Sequence, residues 1–178
     1  MFRRFIGSVA LAGAISLGAC SGDAVYVGER SPSPAAEVCG ESTSTETSPC
    51  FVDPGLDAQS AQLFLQKTSE REPIPRWIYP LADSVHPPNL QLLSFHFERG
   101  DAAHEVFELA VRGKKATRVL YLPCFGAGQL GCTYQAPEKF WRNVATVFAG
   151  ETVQLELRAS GATGPSAAAI ERITIAPA

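Results

Sequence analysis

Residues 90–112 read LQLLSFHFERGDAAHEVFELAVR, and the spacing of their apolar side chains decides the fold. Leu93, Phe95 and Phe97 recur with a period of two, and so do Phe107, Leu109 and Val111. Between the two runs lies a charged, glycine-bearing turn, ERGD. Alternation of this kind puts one face of an extended strand in a core and the other in water. The same texture continues outward in both directions. RWIYP precedes it, and TRVLYLP, GCTYQ, ETVQLELRA and AIERITIA follow it. In ETVQLELRA, Val153, Leu155 and Leu157 point inward while Gln154, Glu156 and Arg158 point outward. HPPN, RGKK, a glycine-rich loop and GATGPS supply the turns. About seven short strands separated by such turns predict an all-β, antiparallel two-sheet sandwich over residues 73–178. Paired carboxylates such as Glu105 and Glu108 are read as a solvated strand edge.

One segment departs from this texture. PEKFWRNVATVFAG places Phe140, Val144 and Phe148 at i, i+4 and i+8, with Trp141 and Ala145 beside them. Pro137 suits a helix start, Glu138 the positive end of the dipole and Gly150 the stop. This predicts a single amphipathic α-helix closing one end or flank of the sandwich.

The chain begins differently. MFRR is followed by an apolar run from Phe5 to about Leu17, too short for the roughly 20 residues that span a bilayer. A basic start, a short apolar run and small residues form an export signal over residues 1–19. The signal ends Leu17-Gly18-Ala19-Cys20, which resembles the lipobox of bacterial lipoproteins. The resemblance implies cleavage before Cys20, acylation of that cysteine and anchorage in a membrane. By resemblance to lipoprotein sorting in other bacteria, Ser21, with no aspartate in its place, implies the outer membrane.

Removal of residues 1–19 takes away two of the 15 basic residues, Arg3 and Arg4, and none of the 18 acidic ones. The formal charge therefore moves from −3 to −5. Such a chain offers no basic stripe for phosphates, and nucleic acid is excluded as a partner. Residues 31–49, SPSPAAEVCGESTSTETSP, contain almost nothing that can be buried, so residues 20–72 are read as a flexible Ser/Thr/Pro-rich tether. One short helix inside it is expected from Asp57, which can cap DAQSAQLFLQKTSERE.

Four cysteines follow Cys20: Cys39, Cys50, Cys124 and Cys132. In an exported chain they are expected as disulfides, with three connectivities open. The local pairing, Cys39–Cys50 and Cys124–Cys132, is favoured because it needs no long-range order. Neither spacing matches a zinc knuckle, so no metal is expected. Residues 126–131, GAGQLG, fit G-x-G-x-x-G after a strand-like run. No helix opens at those glycines, so no nucleotide and no other cofactor is expected. The segment is read as a glycine-rich hairpin loop held by a disulfide.

Residues 77–111, WIYPLADSVHPPNLQLLSFHFERGDAAHEVFELAV, are similar to the start of fibronectin type III-like domains in bacterial surface lipoproteins. The resemblance covers about residues 73–178. It implies an Ig/fibronectin III-like topology, in which strands 92–98 and 104–111 belong to different sheets and His96 and His104 are kept apart. The two histidines are then expected as isolated surface residues rather than a metal or pH-sensing pair.

Trp77 and Tyr79 are two apart on one strand. They are read mainly as core, and as ligand-facing aromatics if that face is exposed. Nothing forms a nucleophile–base arrangement. The expectation is a non-catalytic envelope lipoprotein that binds another envelope protein or takes part in its assembly. Carbohydrate binding is the alternative, and a small envelope enzyme the second.

Overall fold

The computed structural model describes residues 49–178, except Gln91 and residues 126–128. They form an all-β sandwich of the Ig/fibronectin III-like kind. The seven expected strands are all present: β2 (Arg76–Tyr79), β4 (Ser94–Glu98), β5 (Val106–Arg112), β6 (Thr117–Pro123), β7 (Gly131–Gln135), β8 (Thr152–Gly161) and β10 (Ala169–Ile175). Three short strands complete the set, namely β1 (Cys50–Val52), β3 (Ser84–His86) and β9 (Gly164–Pro165). The large sheet runs β1-β6-β5-β8-β10-β3, with β9 paired to β8, and the small sheet runs β2-β4-β7. Neighbours are antiparallel except at the two edges of the large sheet, where β1 joins β6 and β3 joins β10 in parallel. Very short edge strands leave little backbone free for unwanted pairing.

The core lies between the sheets and holds the expected residues. Leu93, Phe95 and Phe97 of the small sheet meet Phe107, Leu109, Val111, Val153, Leu155, Leu157, Ile173 and Ile175 of the large one. Helix α1 (Glu138–Val147) follows Pro137 and buries Phe140, Trp141, Val144 and Ala145. Phe148, at its C-terminal cap, is also buried. Gly150, at φ 77°, turns the chain towards β8. Phe140 meets Phe51 of β1 edge to face, with ring centroids 5.3 Å apart.

The strand registers define two ends. At one lie the ends of β4 and β6 and the starts of β2, β5 and β7, because Glu98 pairs with Arg76 and Gly131, and Val106 with Pro123. The β8–β9 turn also lies there, since Phe107 pairs with Ala159. This is the loop end. At the opposite, helix end lie α1, the 113–116 turn and both limits of the described chain. Pro49 O accepts a hydrogen bond from Val119 N, and Ile175 O one from Gly150 N.

The tether is corrected from residue 49 onward. Residues 50–72 do not hang free: β1 forms an edge of the large sheet, and residues 53–72 cross its outer face as a strap. Asp57 caps a 3₁₀ helix, Ala58–Leu65, by accepting from Gln59 N at 2.8 Å. Phe64 and Ala61 of that helix are buried in a second cluster with Cys50, Ala110, Val119 and Tyr121. Because the strap covers it, β5 is buried on both faces, and Glu108 is 3% exposed rather than solvated. Glu108 is met there by Arg158, at 2.5 and 3.0 Å, and by the Tyr121 hydroxyl at 3.0 Å.

Candidate binding face

At the loop end several neighbouring segments are tied together. It starts with a turn that only glycine allows. Gly100 sits at φ 81°, and a Cβ there would lie 2.9 Å from the carbonyl oxygens of both Pro73 and Ile74. This close approach sets the segment before β2 against the turn after β4.

Arg99, one residue earlier, is 1% exposed. Its guanidinium donates to the carbonyls of Cys124 (3.0 Å) and His104 (3.3 Å), and also to Gln129 O. Its own backbone N–H bonds Leu130 O at 2.9 Å. A guanidinium offers five donors in a rigid fork, which suits the gathering of several carbonyls. Arg99 thus fixes both ends of the 124–131 loop. The Cys124–Cys132 disulfide fixes them covalently, with Cα atoms 5.9 Å apart.

This loop is not the expected hairpin. Cys124 follows β6 of the large sheet and Cys132 lies in β7 of the small one, so loop and disulfide join the two sheets. β6 has β1 and β5 as its neighbours, which leaves it no hairpin partner in β7.

A second set of contacts ties in the strap. His104 is 2% exposed, so the expectation of a surface histidine is corrected. Its Nδ1 lies 2.8 Å from Arg99 O and its Nε2 3.1 Å from the Glu72 carboxylate. The other Glu72 oxygen accepts from Thr163 N and Thr163 Oγ1, both at 2.8 Å. These contacts hold the Glu72 carboxyl below its ordinary range, the Thr163 backbone N–H contributing most and His104 next. Strap, 99–105 turn, cross-sheet loop and β8–β9 turn therefore meet at one polar centre. Around it three apolar side chains stand in solvent: Phe125 at 62% exposure, Ile74 at 53% and Leu130 at 50%.

The other residues singled out in the sequence lie elsewhere. Cys20 and Cys39 lie outside the described residues. Cys50 is buried and disulfide-bonded. Trp77 is half-buried, packs on Phe95 and Phe97, and donates from Nε1 to Ala169 O at 3.1 Å. Tyr79 is exposed and meets the rings of His96 and His86. A register shift between Trp77 and Tyr79 interrupts the face they were expected to share. His96 lies in β4 of the small sheet, and His104 in the turn before β5 of the large one. His86 is buried, and that burial holds its ring below the ordinary imidazole value. Among the described residues no group of three or more His, Cys, Asp or Glu side chains is placed to hold a metal ion.

Arg99, Glu72 and Phe125 were not singled out by sequence. Arg99 reads as one more turn charge, and Glu72 as part of a polar tether. The available signal was Phe125 itself, a lone aromatic beside a glycine run between two cysteines.

No protein-family model matches the chain, and no curated protein matches its sequence. Among solved structures the chain is similar to the endo-beta-1,4-mannanase from Thermotoga petrophila, at 11% identity and a TM-score of 0.40. That match covers 68% of this chain and 23% of the mannanase. It is also similar to a myokine structure, at 12% identity and a TM-score of 0.32, covering 62% of this chain and 100% of the myokine. The chain spans less than a quarter of the mannanase. Neither likeness assigns a family or an activity.

Proposed function

We propose that this chain is a non-catalytic lipoprotein of the outer membrane, anchored through acyl groups on Cys20, whose sandwich binds another envelope protein through its loop end. The observation that carries the reading is the apolar trio Ile74, Phe125 and Leu130, exposed on loops held by buried Arg99 and by a disulfide. Apolar side chains presented on a braced frame lose little freedom on docking, which favours affinity. The polar groups that converge at this end are engaged with one another, so the face suits binding rather than catalysis. Both limits of the described chain lie at the opposite end, so an anchored domain can offer the loop end outward.

An envelope polysaccharide is the alternative partner. Tyr79 is the exposed aromatic that favours it, since Trp77 is turned towards the core.

Cross-linking in the producing cell, followed by mass spectrometry, tests the partner. One protein recovered in near-equal amount with the wild-type chain, and lost with Phe125→Asp, is the expected result. Retention of the Phe125→Asp chain on that protein would overturn the loop-end assignment. Retention in the polysaccharide fraction with no protein partner would favour the alternative. The mass of the N-terminal peptide tests the anchor, which requires an acylated Cys20.

A further inference from the structure

The helix end carries an excess of cationic side chains. Lys139 and Arg142 stand exposed on α1. One turn after Lys139, Asn143 accepts a hydrogen bond from Arg118 Nε at 2.5 Å, which places the Arg118 guanidinium against the helix. The 113–116 turn adds exposed Lys114 and Lys115. It lies against the end of the same helix, where a Cβ on Gly113 would come within 2.5 Å of the Phe148 ring. Five cationic side chains thus follow one side of α1. Among the described residues, the acids in contact with this strip are Glu138, paired with Arg142, and Glu151, which accepts from Lys114 N at 3.1 Å. Among the described residues no ion pair engages Lys114, Lys115 or Lys139. At the loop end, by contrast, the 100–105 turn carries Asp101 and Glu105 and no Lys or Arg.

The chain enters the domain beside this basic strip. Pro49 O bonds Val119 N, next to Arg118, and β1 runs in parallel with β6 away from the helix end. The segment from Cys20 to Ser48 therefore joins the domain at its basic end.

We infer that the face formed by Lys114, Lys115, Arg118, Lys139 and Arg142 docks on the anionic headgroups of the bilayer. The orientation this gives rests on the lipoprotein reading above. The tether supplies proximity, and the basic strip selects which end faces the lipid. Clustered lysines and arginines near an anionic surface are attracted over about one Debye length. The loop end is then held away from the bilayer.

The test uses the mature chain, residues 20–178, with Cys20→Ser, so that neither the export signal nor an acyl group contributes. Its sedimentation with phosphatidylcholine vesicles containing phosphatidylglycerol is compared with that on pure phosphatidylcholine vesicles. Binding to the anionic vesicles alone is expected, weakening by about fivefold for each lysine changed to glutamine and weakening further with salt. Lys67→Gln, the same change made at an exposed lysine of the strap beside the β8–β9 turn, serves as the control and keeps this binding. Equal binding to both vesicles, or full binding by Lys114→Gln/Lys115→Gln/Lys139→Gln, would overturn the inference. Either failure, with Cys20 still found acylated in cells, leaves the lipoprotein reading standing. Anionic binding with Cys20 unmodified would instead keep the basic face and remove the anchor.

Discussion

Along β5 the inner face turns Phe107, Leu109 and Val111 towards the small sheet, while the outer face turns Glu108 and Ala110 towards the strap. Both faces are dry, but they are held by different means. The inner face is a broad apolar layer in which many contacts share the load, and cores of this kind tolerate changes that keep their volume. The outer face is narrow. It closes over one ion pair, with Arg158 beneath the Phe64 ring at 5.6 Å from its centroid and the Tyr121 hydroxyl on the second Glu108 oxygen. Burial, and then the adjacent carboxylate, push the Tyr121 hydroxyl well above its ordinary range, so it serves there as a donor. A buried pair of this sort adds little when intact but is costly to break from one side. The inner face therefore sets whether the domain folds, and the outer face sets whether the strap, residues 53–72, belongs to it.

The sharpest way to break the comparison is through the inner face. Phe140→Asp buries an unpaired carboxylate among Phe51, Trp141 and Val144, and should abolish the folded state, read as loss of a cooperative urea transition. On the outer face, Glu108→Ala strands Arg158 and should cost about 4 kcal/mol, with the domain still folded but melting lower. Phe64→Ala should cost about 3 kcal/mol, and proteolysis should then begin at Lys67 or Arg71 in the strap. If Phe64→Ala leaves both stability and cleavage unchanged, the strap is not an integral part of the domain.

A smaller, pH-dependent effect sharpens the picture at the loop end. The Glu72 carboxyl is held below its ordinary value in the folded chain, so its contacts stabilise the fold above that range and stop doing so as pH falls through it. Glu72→Gln should lower the urea midpoint at neutral pH, and the gap from wild type should close on acidification. A gap independent of pH would show that the carboxylate is not what holds the strap. Smallest of all, Arg142→Ala removes an exposed i, i+4 pair with Glu138 and should change stability by about 0.5 kcal/mol or less in a thermal melt.

The inner face was legible because it is periodic. The spacing in α1 and the alternation in β4, β5 and β8 each place several apolar side chains on one side, and each is found buried there. β1, β3 and β9 were not legible, since two or three residues carry no period. The strap was missed for a related reason: Ala61 and Phe64 are buried, but they sit among polar neighbours, and the run Leu63-Phe64-Leu65 is aperiodic. Glu108 was misplaced because alternation tells which side of a strand a residue faces, not whether another segment covers that side. The loop-end site was the least legible part. Arg99, His104, Glu72 and Thr163 span some ninety positions, and only the folded topology brings them together.

The parallel pairing of β1 with β6 also bears on mechanical load. A pull on the chain at Pro49, resisted by a partner held at the loop end, runs along the strand axis. It loads the three β1–β6 register positions in shear, together and not one after another. Lifetime under force follows the unfolding barrier rather than the equilibrium stability. The short strand at the entry of the chain would then act as a latch, and shortening it by one residue should reduce the force the domain withstands even where its melting temperature barely changes.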